Sequence, residues 1–540
     1  MRWARYLWAS PILLYLLAVN APFFYDDFHS IAWNPAVKTL EQWWTFFTDP
    51  NLFSVMPDKA MYRPLLMLSY ALNYQMVGMQ AWAFRIPNLA LHVATAACVG
   101  AMAAQWTRRA YSFAIAAFLF LIHPAFSEPA FYISSRSEVG CVLFGWMCLL
   151  AYQRGQAAQA VLWAACSVGF KETGAVVFAM CWCYEILLGR RWKDRKAWLS
   201  LLAVTSVCVG YVAWTWHFGT ITASVTGPVR SWAAQFYTQL AILPTYCRQL
   251  LFPWRWGLEL EAVERTAMSV QAVLGLLIVA GAFCWAIRSG RRSVFLLGCV
   301  LLTMLPTSIF PLNIIATERR LYWAGGFFIV GVVSMLDRKN VRVAVVLWAA
   351  MLAAMLGLRA TVWADDLSLW KQSIAEHPNS YRMSINAGAA AINAKDYPLA
   401  RSMFTRALIL SGDDAQKAMV WNNIAGVYFA KGQLDSALAG YLVALQLDSL
   451  QADSWANLGC LWGELGKHLE GEAKATHYLG AESYLRHALA IDSTLFQPHR
   501  ALADVLRILR RPEEAKEEYR LSEYYKREYA QVPIPKEKKR

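Results

Sequence analysis

The stretch Trp421–Leu445, WNNIAGVYFAKGQLDSALAGYLVAL, decides the fold of the last third of the chain. Large residues (Trp421, Ile424, Tyr428, Tyr441) recur around small ones (Ala437, Ala444). The small residues let two helices cross closely, and the large ones fill the space between neighbouring units. The same spacing returns on both sides. Upstream, Tyr381 to about Asp414 supplies Gly388, Ala400, Phe404 and Ala407. Downstream, Ala452 onward supplies Trp455, Leu458, Gly459 and Trp462, then, after about ten extra residues, Ala481, Leu485 and Ala488. A last unit from Phe496 supplies Leu502, Ala503, Ala515 and Tyr519.

A repeat of about 34 residues with this spacing is the tetratricopeptide pattern, and about four copies suffice for a self-supporting solenoid. The repeats occupy 379–530, before a basic end, 531–540, that closes in PKEKKR. Ahead of them the composition changes at about Leu358. The first part, 1–360, is a series of apolar blocks, joined to the repeats by an expected linker helix at 361–378. The whole chain of 540 residues is 57% hydrophobic and 16% charged, whereas a soluble domain is about a quarter charged. Its 25 Trp, 24 Tyr and 26 Phe suit a protein whose rings line membrane interfaces.

A membrane helix needs about 20 apolar residues. The blocks predict about eleven, near 4–20, 82–106, 111–125, 137–153, 156–170, 174–189, 197–217, 268–287, 293–311, 321–336 and 343–359. The fold class expected is therefore all-α: a polytopic membrane bundle followed by an α-solenoid. The first block follows Arg2 and Arg5 like a signal peptide, but it ends in Pro22, Phe23, Phe24 and Tyr25 rather than small residues, so it reads as an uncleaved helix.

The net charge of +14 sits in short clusters between the blocks: Arg108/Arg109, Arg190 to Lys196, Arg288 to Arg292 and Arg338 to Arg342. This is positive-inside topology rather than a basic face, and it argues against nucleic acid. With the N-terminus in the cytoplasm, every cluster falls inside, and 21–81 and the repeats fall outside. Segment 21–63 carries Asp26, Asp27, Glu41, Asp49 and Asp58 against Lys38, Lys59 and Arg63. The 11 Cys lie mostly inside apolar blocks and read as small buried hydrophobes. No Asn-x-Ser/Thr sequon occurs. Few repeats and no sequons suggest a bacterial inner membrane with the repeats in the periplasm.

The unusual polar clusters all map to the outer face. YDDFHSIAWNP begins at Tyr25, YRPLLMLSYALNY at Tyr62, FRIPNLALH at Phe84, HPAFSEPAFYISSRSE at His123, FKETG at Phe170 and ATERRLYW at Ala316. Both signs are present, so together they predict a polar cavity at one leaflet. Arg136, Lys171, Arg319 and Arg320 are candidates for a phosphate, with Arg offering bidentate geometry. A carboxylate opposite them would take a proton from a hydroxyl acceptor. A phosphate leaving group, a base and a bilayer point to transfer from a lipid phosphate. Asp26 and Asp27 divide that work in either order, one as base and one orienting the acceptor or an Arg. Two carboxylates without a fixed third ligand give little support for a divalent metal. Arg63, His123, Glu128, Glu138, Glu172, Glu318 and Tyr322 complete the expected cavity. Glu128 with Arg136, and Lys171 with Glu172, are candidate ion pairs. His29 reads as a loop or interfacial residue, and Arg248 and Trp256 are placed along a donor path.

Taken in order, and followed by TVWADDLSLWKQSIAEHPNSYRMSINAGA from Thr361, these motifs resemble the transmembrane and tetratricopeptide-repeat O-mannosyltransferases and their bacterial relatives, of the GT-C superfamily. The resemblance covers nearly the whole chain. It implies a GT-C-like membrane domain with Asp26 and Asp27 at the catalytic site. It implies a polyprenyl-phosphate-linked sugar, often mannose, as co-substrate and no obligatory metal. The acceptor it implies is a Ser/Thr hydroxyl of a polypeptide presented by the repeats. The chain departs from the family in having about four repeats where eukaryotic members carry more, and in ERRLYW where ERYLY is usual. Two other functions fit the sequence. One is a GT-C enzyme acting on an envelope glycan or lipid. The other is a non-enzymatic membrane scaffold whose repeats hold partners, which would not need Asp26, Asp27, Arg136 or Arg319.

Overall fold

The computed structural model describes residues 7–56, 59–191, 193–217, 229–254, 257, 259–260, 262–312, 314–336 and 339–528. Asp58, Trp256, Arg338, positions 4–6 of the first expected span and the basic end 531–540 lie outside the described residues. The chain divides into two compact units, 1–365 and 366–540. No strand occurs among the described residues.

The first unit is a helix bundle. Among the described residues, seven of its helical segments are long and apolar enough to cross a membrane. In chain order the helices are α1 (Ile12–Tyr15), α2 (Pro64–Val77), α3 (Ala81–Thr107), α4 (Tyr111–Ile122), α5 (Glu128–Phe131), α6 (Arg136–Gln153), α7 (Ala157–Phe170), α8 (Val177–Tyr184), α9 (Arg195–His217), α10 (Trp232–Leu251), α11 (Val270–Ser289), α12 (Arg291–Ile309), α13 (Leu321–Ser334) and α14 (Lys339–Val362). The first expected span is not one continuous α-helix. α1 is a single turn between 3-10 turns at Leu7–Ala9 and Leu16–Ala18, and it begins just after Pro11, which has no N–H to donate. Each of the other expected spans meets a helix.

Two helices fall in segments read from the sequence as loops. α2 opens on Pro64 at its first turn and closes at Gly78, whose φ of 72° is a left-handed ending that glycine adopts without cost. α10 lies on the polar-loop side of the bundle without crossing it. Gln235 near its start bonds the Ser308 and Phe310 carbonyls, and its last turn meets His123 and Glu318, so both ends touch the same face. Pro244 inside α10 has no N–H for the Leu240 carbonyl. That carbonyl instead faces Gly275 of α11, where an added Cβ would overlap the oxygen. The pair thus sets how closely α10 and α11 cross.

In the second unit α15 (Asp366–Glu376) precedes four antiparallel hairpins: α16–α17 (Tyr381–Asn393, Tyr397–Leu410), α18–α19 (Asp414–Ala430, Leu434–Leu447), α20–α21 (Ala452–Gly466, Gly471–Ile491) and α22–α23 (Phe496–Ile508, Pro512–Glu528). This is the tetratricopeptide-type solenoid. The repeat's small and large positions do the packing expected of them: Ala400, Phe404, Ala407, Ala437, Tyr441, Ala444, Leu458, Ala481, Leu485, Ala488 and Leu502 are buried. The expected linker is shared out, since 361 and 362 complete α14 and 366–376 forms α15, packed on α16.

Candidate active site

The polar clusters of the first unit gather on one face of the bundle. The link between the first and second polar loops is Asp27. It is fully buried, and both of its oxygens are occupied. Oδ1 accepts from the Ser134 N–H at 2.8 Å and the Ser134 hydroxyl at 2.5 Å, and Oδ2 accepts from the Phe24 N–H at 3.0 Å. Burial pushes its pKa up to about 6, against the opposing pull of those donors and of Arg85. A carboxylate held this way anchors two loops and has no oxygen facing a substrate.

Asp26 has the opposite environment. Its side chain is 31% exposed and its Oδ1 lies 3.1 Å from His29 Nε2 and 3.7 Å from Lys59 Nζ. Burial would raise its pKa, but the His29 hydrogen bond and the charges of Arg319, His29 and Lys59 outweigh it, so the group sits below the usual carboxylate value. The Ser54 hydroxyl accepts from the Met56 N–H at 2.9 Å and shares a hydrogen bond with His29 Nδ1, also at 2.9 Å. An ionised carboxylate only accepts, so His29 Nε2–H donates to Asp26. The Asp26 N–H donates to the Tyr132 hydroxyl at 3.0 Å. Tyr25, just before, has a φ of 41°, a conformation disfavoured for a residue with a Cβ. The strained turn sends two adjacent carboxylates into different surroundings. His29 is therefore a buried partner of Asp26 rather than a solvated loop residue.

The cationic candidates separate in the same way. Arg136, expected as a phosphate ligand, is buried and its guanidinium is fully used. Nε donates to Asn88 Oδ1 at 2.8 Å, Nη1 to the Ser69 carbonyl, and Nη2 to Asn73 Oδ1 at 2.9 Å and the Phe84 carbonyl at 2.7 Å. It joins α2, α3 and α6 and has no donor left for a ligand. Nor does it pair with Glu128. Arg320 donates to the Ile315 and Ile314 carbonyls at 2.5 Å, closing its own loop. Arg319 lies 3.8 Å from Glu128 and remains 26% exposed. Glu128 is buried, and neither of its oxygens accepts a hydrogen bond among the described residues. Burial raises its pKa, against the charges of Arg319 and Arg359. Lys171 does not pair with its neighbour Glu172. It reaches Glu138 at 2.6 Å, while Glu172 takes Arg63 in a two-bond contact at 3.1 and 3.0 Å. These crossed pairs tie α2, α6 and the turn after α7 together. The cations whose charge reaches Asp26 are thus Arg319 and Lys59, whereas Lys171 is held by Glu138.

Two expected cavity residues belong to the scaffold. His123 accepts from the Ala125 N–H through Nδ1 and donates through Nε2 to the Leu250 carbonyl at 2.9 Å. Burial pushes its pKa down to about 4, so it stays neutral. Tyr322 is buried against His92 Nδ1 at 2.8 Å, inside the bundle. Glu318 is buried beside Arg359 of α14 and Gln249 of α10, and burial lifts its pKa to about 7 against the Arg359 charge. Among the described residues no group of three His, Cys, Asp or Glu side chains is placed to hold a metal ion.

Sequence reasoning did not single out the residues that support the acid pair. Arg85 of α3 grips the carbonyls of Ala21, Pro22 and Phe131 and stacks on Phe24 at 5.3 Å. Trp363, just past α14, is buried against the rings of Phe24, Phe131 and Tyr132 at 5.8, 5.9 and 6.1 Å. Phe24 and Tyr132 are the residues that bond Asp27 and Asp26. Only the runs of aromatics around these motifs gave any signal in the sequence.

The curated relatives that sequence similarity finds for this chain are protein O-mannosyl-transferases. The chain is 32% identical over 206 residues to protein O-mannosyl-transferase tmtc2 of Xenopus laevis, a match covering 34% of this chain and 24% of that protein. It is 29% identical over 203 residues to protein O-mannosyl-transferase TMTC2 of Homo sapiens, covering 35% and 24%. A longer match, 22% identical over 444 residues, covers 72% of this chain and 48% of protein O-mannosyl-transferase TMTC3 of Mus musculus. The chain thus spans about a quarter to a half of the length of these relatives. No protein-family model matches it. Among solved structures, a crystal structure of MamA is 13% identical, with a TM-score of 0.25 over 33% of this chain and 95% of that one.

Proposed function

We propose that the chain is an integral-membrane glycosyltransferase. It moves a hexose such as mannose from a polyprenyl-phosphate donor to a Ser or Thr hydroxyl of a polypeptide held by the repeats. Asp26 is the general base. The acceptor oxygen attacks the sugar's anomeric carbon, Asp26 takes the hydroxyl proton, and the bond from that carbon to the phosphate oxygen breaks with inversion. His29 holds the Asp26 carboxylate in place, and the depressed pKa of Asp26 keeps that carboxylate ionised at neutral pH. Arg319 and Lys171 offset the charge of the departing lipid phosphate. Asp27 does not take the proton; it holds the loop. The observation that carries this reading is the contrast within the acid pair: one carboxylate is partly open, oriented by an imidazole and set among cations, and the other is enclosed by three donors. The similarity to protein O-mannosyl-transferases supports the reaction class and the protein acceptor. The basic clusters support an orientation with the site on the outer, periplasmic side of a bacterial inner membrane.

The test is intact-protein mass spectrometry of envelope proteins from cells carrying the native chain, Asp26→Asn or Asp27→Asn. Loss of a general base lowers the rate by about two to four orders of magnitude, so hexose additions are expected to vanish with Asp26→Asn. A native chain that adds hexose only to a lipid or glycan would replace the protein acceptor. Unchanged additions in Asp26→Asn would remove Asp26 from the mechanism.

A further inference from the structure

Glu128 of α5 has no part in the proton transfer described above, yet it is an acid shut away from solvent. It is 1% exposed, and neither of its oxygens accepts a hydrogen bond among the described residues. A buried carboxylate is normally met by donors. The charged groups that reach it are Arg319, Arg359, Glu138, Lys171 and Glu318. Four of these close into pairs of their own: Lys171 bonds Glu138 at 2.6 Å, and Arg359 meets Glu318. The nearby Arg320 and Arg85 are turned to backbone carbonyls, and His123 in the same loop stays neutral. Glu128 is left with Arg319.

That last pair is an ion contact without a hydrogen bond, Arg319 Nη1 lying 3.8 Å from Glu128 Oε1. Among the described residues the Arg319 guanidinium donates no hydrogen bond at all. It is partly exposed, and the charges of both Glu128 and Asp26 act on it. Its planar fork is thus open to a phosphate. We propose that Glu128 is a proton-linked positioning residue: it holds Arg319 while the site is open, and it takes up a proton when a phosphodiester occupies the guanidinium. The inference rests on the reading that Arg319 binds the donor's phosphate. Three acids and three cations balance around Glu128, so a bound phosphate leaves one negative charge too many. Glu128, with neither water nor a hydrogen bond to support its charge, is where a proton restores the balance. The proton comes from solvent past Arg319 and leaves when the lipid phosphate leaves. In between, a neutral Glu128 does not oppose the second charge that the phosphate gains as the sugar departs.

The experiment is calorimetric titration of the full chain in detergent with farnesyl methyl phosphate, a sugar-free phosphodiester whose own charge is constant near neutral pH. Repeating it in two buffers of different ionisation enthalpy counts the protons taken up. The native chain is expected to take up close to one proton per ligand, with Kd rising by up to about tenfold per pH unit from about pH 7.5 to about 8.5. Glu128→Gln should bind with no proton uptake and a flat Kd over the same range. Arg319→Gln leaves Glu128 neutral from the start. It should weaken binding by about tenfold or more and abolish uptake in the binding that remains, which tests the same point if Glu128→Gln does not fold. Native binding without proton uptake overturns the proposal and leaves the phosphate role of Arg319 standing. Uptake that persists in Glu128→Gln overturns it too, by placing the proton on Glu318 or Asp27. Equal binding by Arg319→Gln and the native chain sinks both the phosphate reading of Arg319 and this inference. Proton-linked binding in a chain that transfers no sugar would uphold the linkage and sink the glycosyltransferase reading.

Discussion

Two carboxylates adjacent in sequence differ here because of residues more than a hundred positions away. Ser134 closes around Asp27, and Tyr132 bonds the backbone of Asp26. The pair itself was legible as a chemical feature. Its division of labour was not, since that depends on which oxygen the fold encloses. His29 was undervalued for the same reason: its partner Ser54 arrives from a separate turn. The division has a pH signature. Asp27, lifted to about 6, and Glu318, lifted to about 7, take up protons as pH falls through that window, while Asp26 stays ionised. Protonation of Asp27 weakens its hold on Ser134, and protonation of Glu318 releases Arg359, so transfer should fall from about pH 7 to below pH 6. The stability contribution has the opposite sign. Both groups bind protons more tightly folded than unfolded, so they add stability as pH falls through the same range. Transfer rates and thermal unfolding measured side by side over this range should therefore diverge, and a parallel decline of both would contradict the assignment. His29→Gln removes the group that orients Asp26 while leaving the carboxylate. It should lower kcat by about tenfold with little change in KM, less than Asp26→Asn does.

At the scale of elements, the last turn of α14 is wedged between the two parts of the site. Arg359 meets Glu318, next to Arg319, and four residues later Trp363 supports Phe24, Phe131 and Tyr132. Trp363→Ala should lower stability by about 3–5 kcal/mol, the usual effect of removing a buried large ring. It should also lower kcat by up to about a hundredfold, because a shift of about 1 Å at a reacting group has that effect. Trp363→Phe keeps a ring against Phe131 and should restore most of kcat. If a kcat loss persists in Trp363→Phe at native stability, the wedge is not what positions Asp26. The helices missed in the sequence have physical reasons for being hard to see. α10 is amphipathic, carries Gln235, Arg248 and Gln249, and is broken in its hydrogen bonding by Pro244, so no apolar run marks it. α2 is too short to read as a span, and only its opening Pro64 and closing Gly78 announce it. The α10–α11 crossing then depends on one missing side chain. Gly275→Ala should cost about 1–3 kcal/mol, read as earlier thermal unfolding of the full chain in detergent, whereas a substitution at Gly281, which faces open space, should cost less.

For the whole molecule, charge and chemistry sort to opposite ends of the bundle. Arg292 donates to the Trp106 carbonyl at 3.2 Å, and Arg191 stacks over Tyr152 at 5.1 Å, so the basic turns gather at one end. Asp26, Glu128, Lys171, Glu172 and Arg319 gather at the other, where α14 also ends. This sorting was legible early because the K/R bias acts through every loop at once and does not need any single helix boundary to be right. It makes a prediction about sidedness. A lipid-phosphate donor for this site has to be in the leaflet opposite the basic turns, and the acceptor has to reach it from that side. In a background where the exposed Cys284 and Cys460 are replaced by Ser, Thr48→Cys should react with a membrane-impermeant maleimide added to intact spheroplasts. Arg109→Cys, at a basic turn, should react only after the membrane is opened. Restoring Cys460 alone asks the same of the solenoid, which follows α14 directly in the chain and should label with Thr48→Cys. The reverse pattern would turn the bundle over, put Asp26 at the cytoplasmic leaflet and the basic turns outside, and make a cytoplasm-facing sugar carrier the donor to look for.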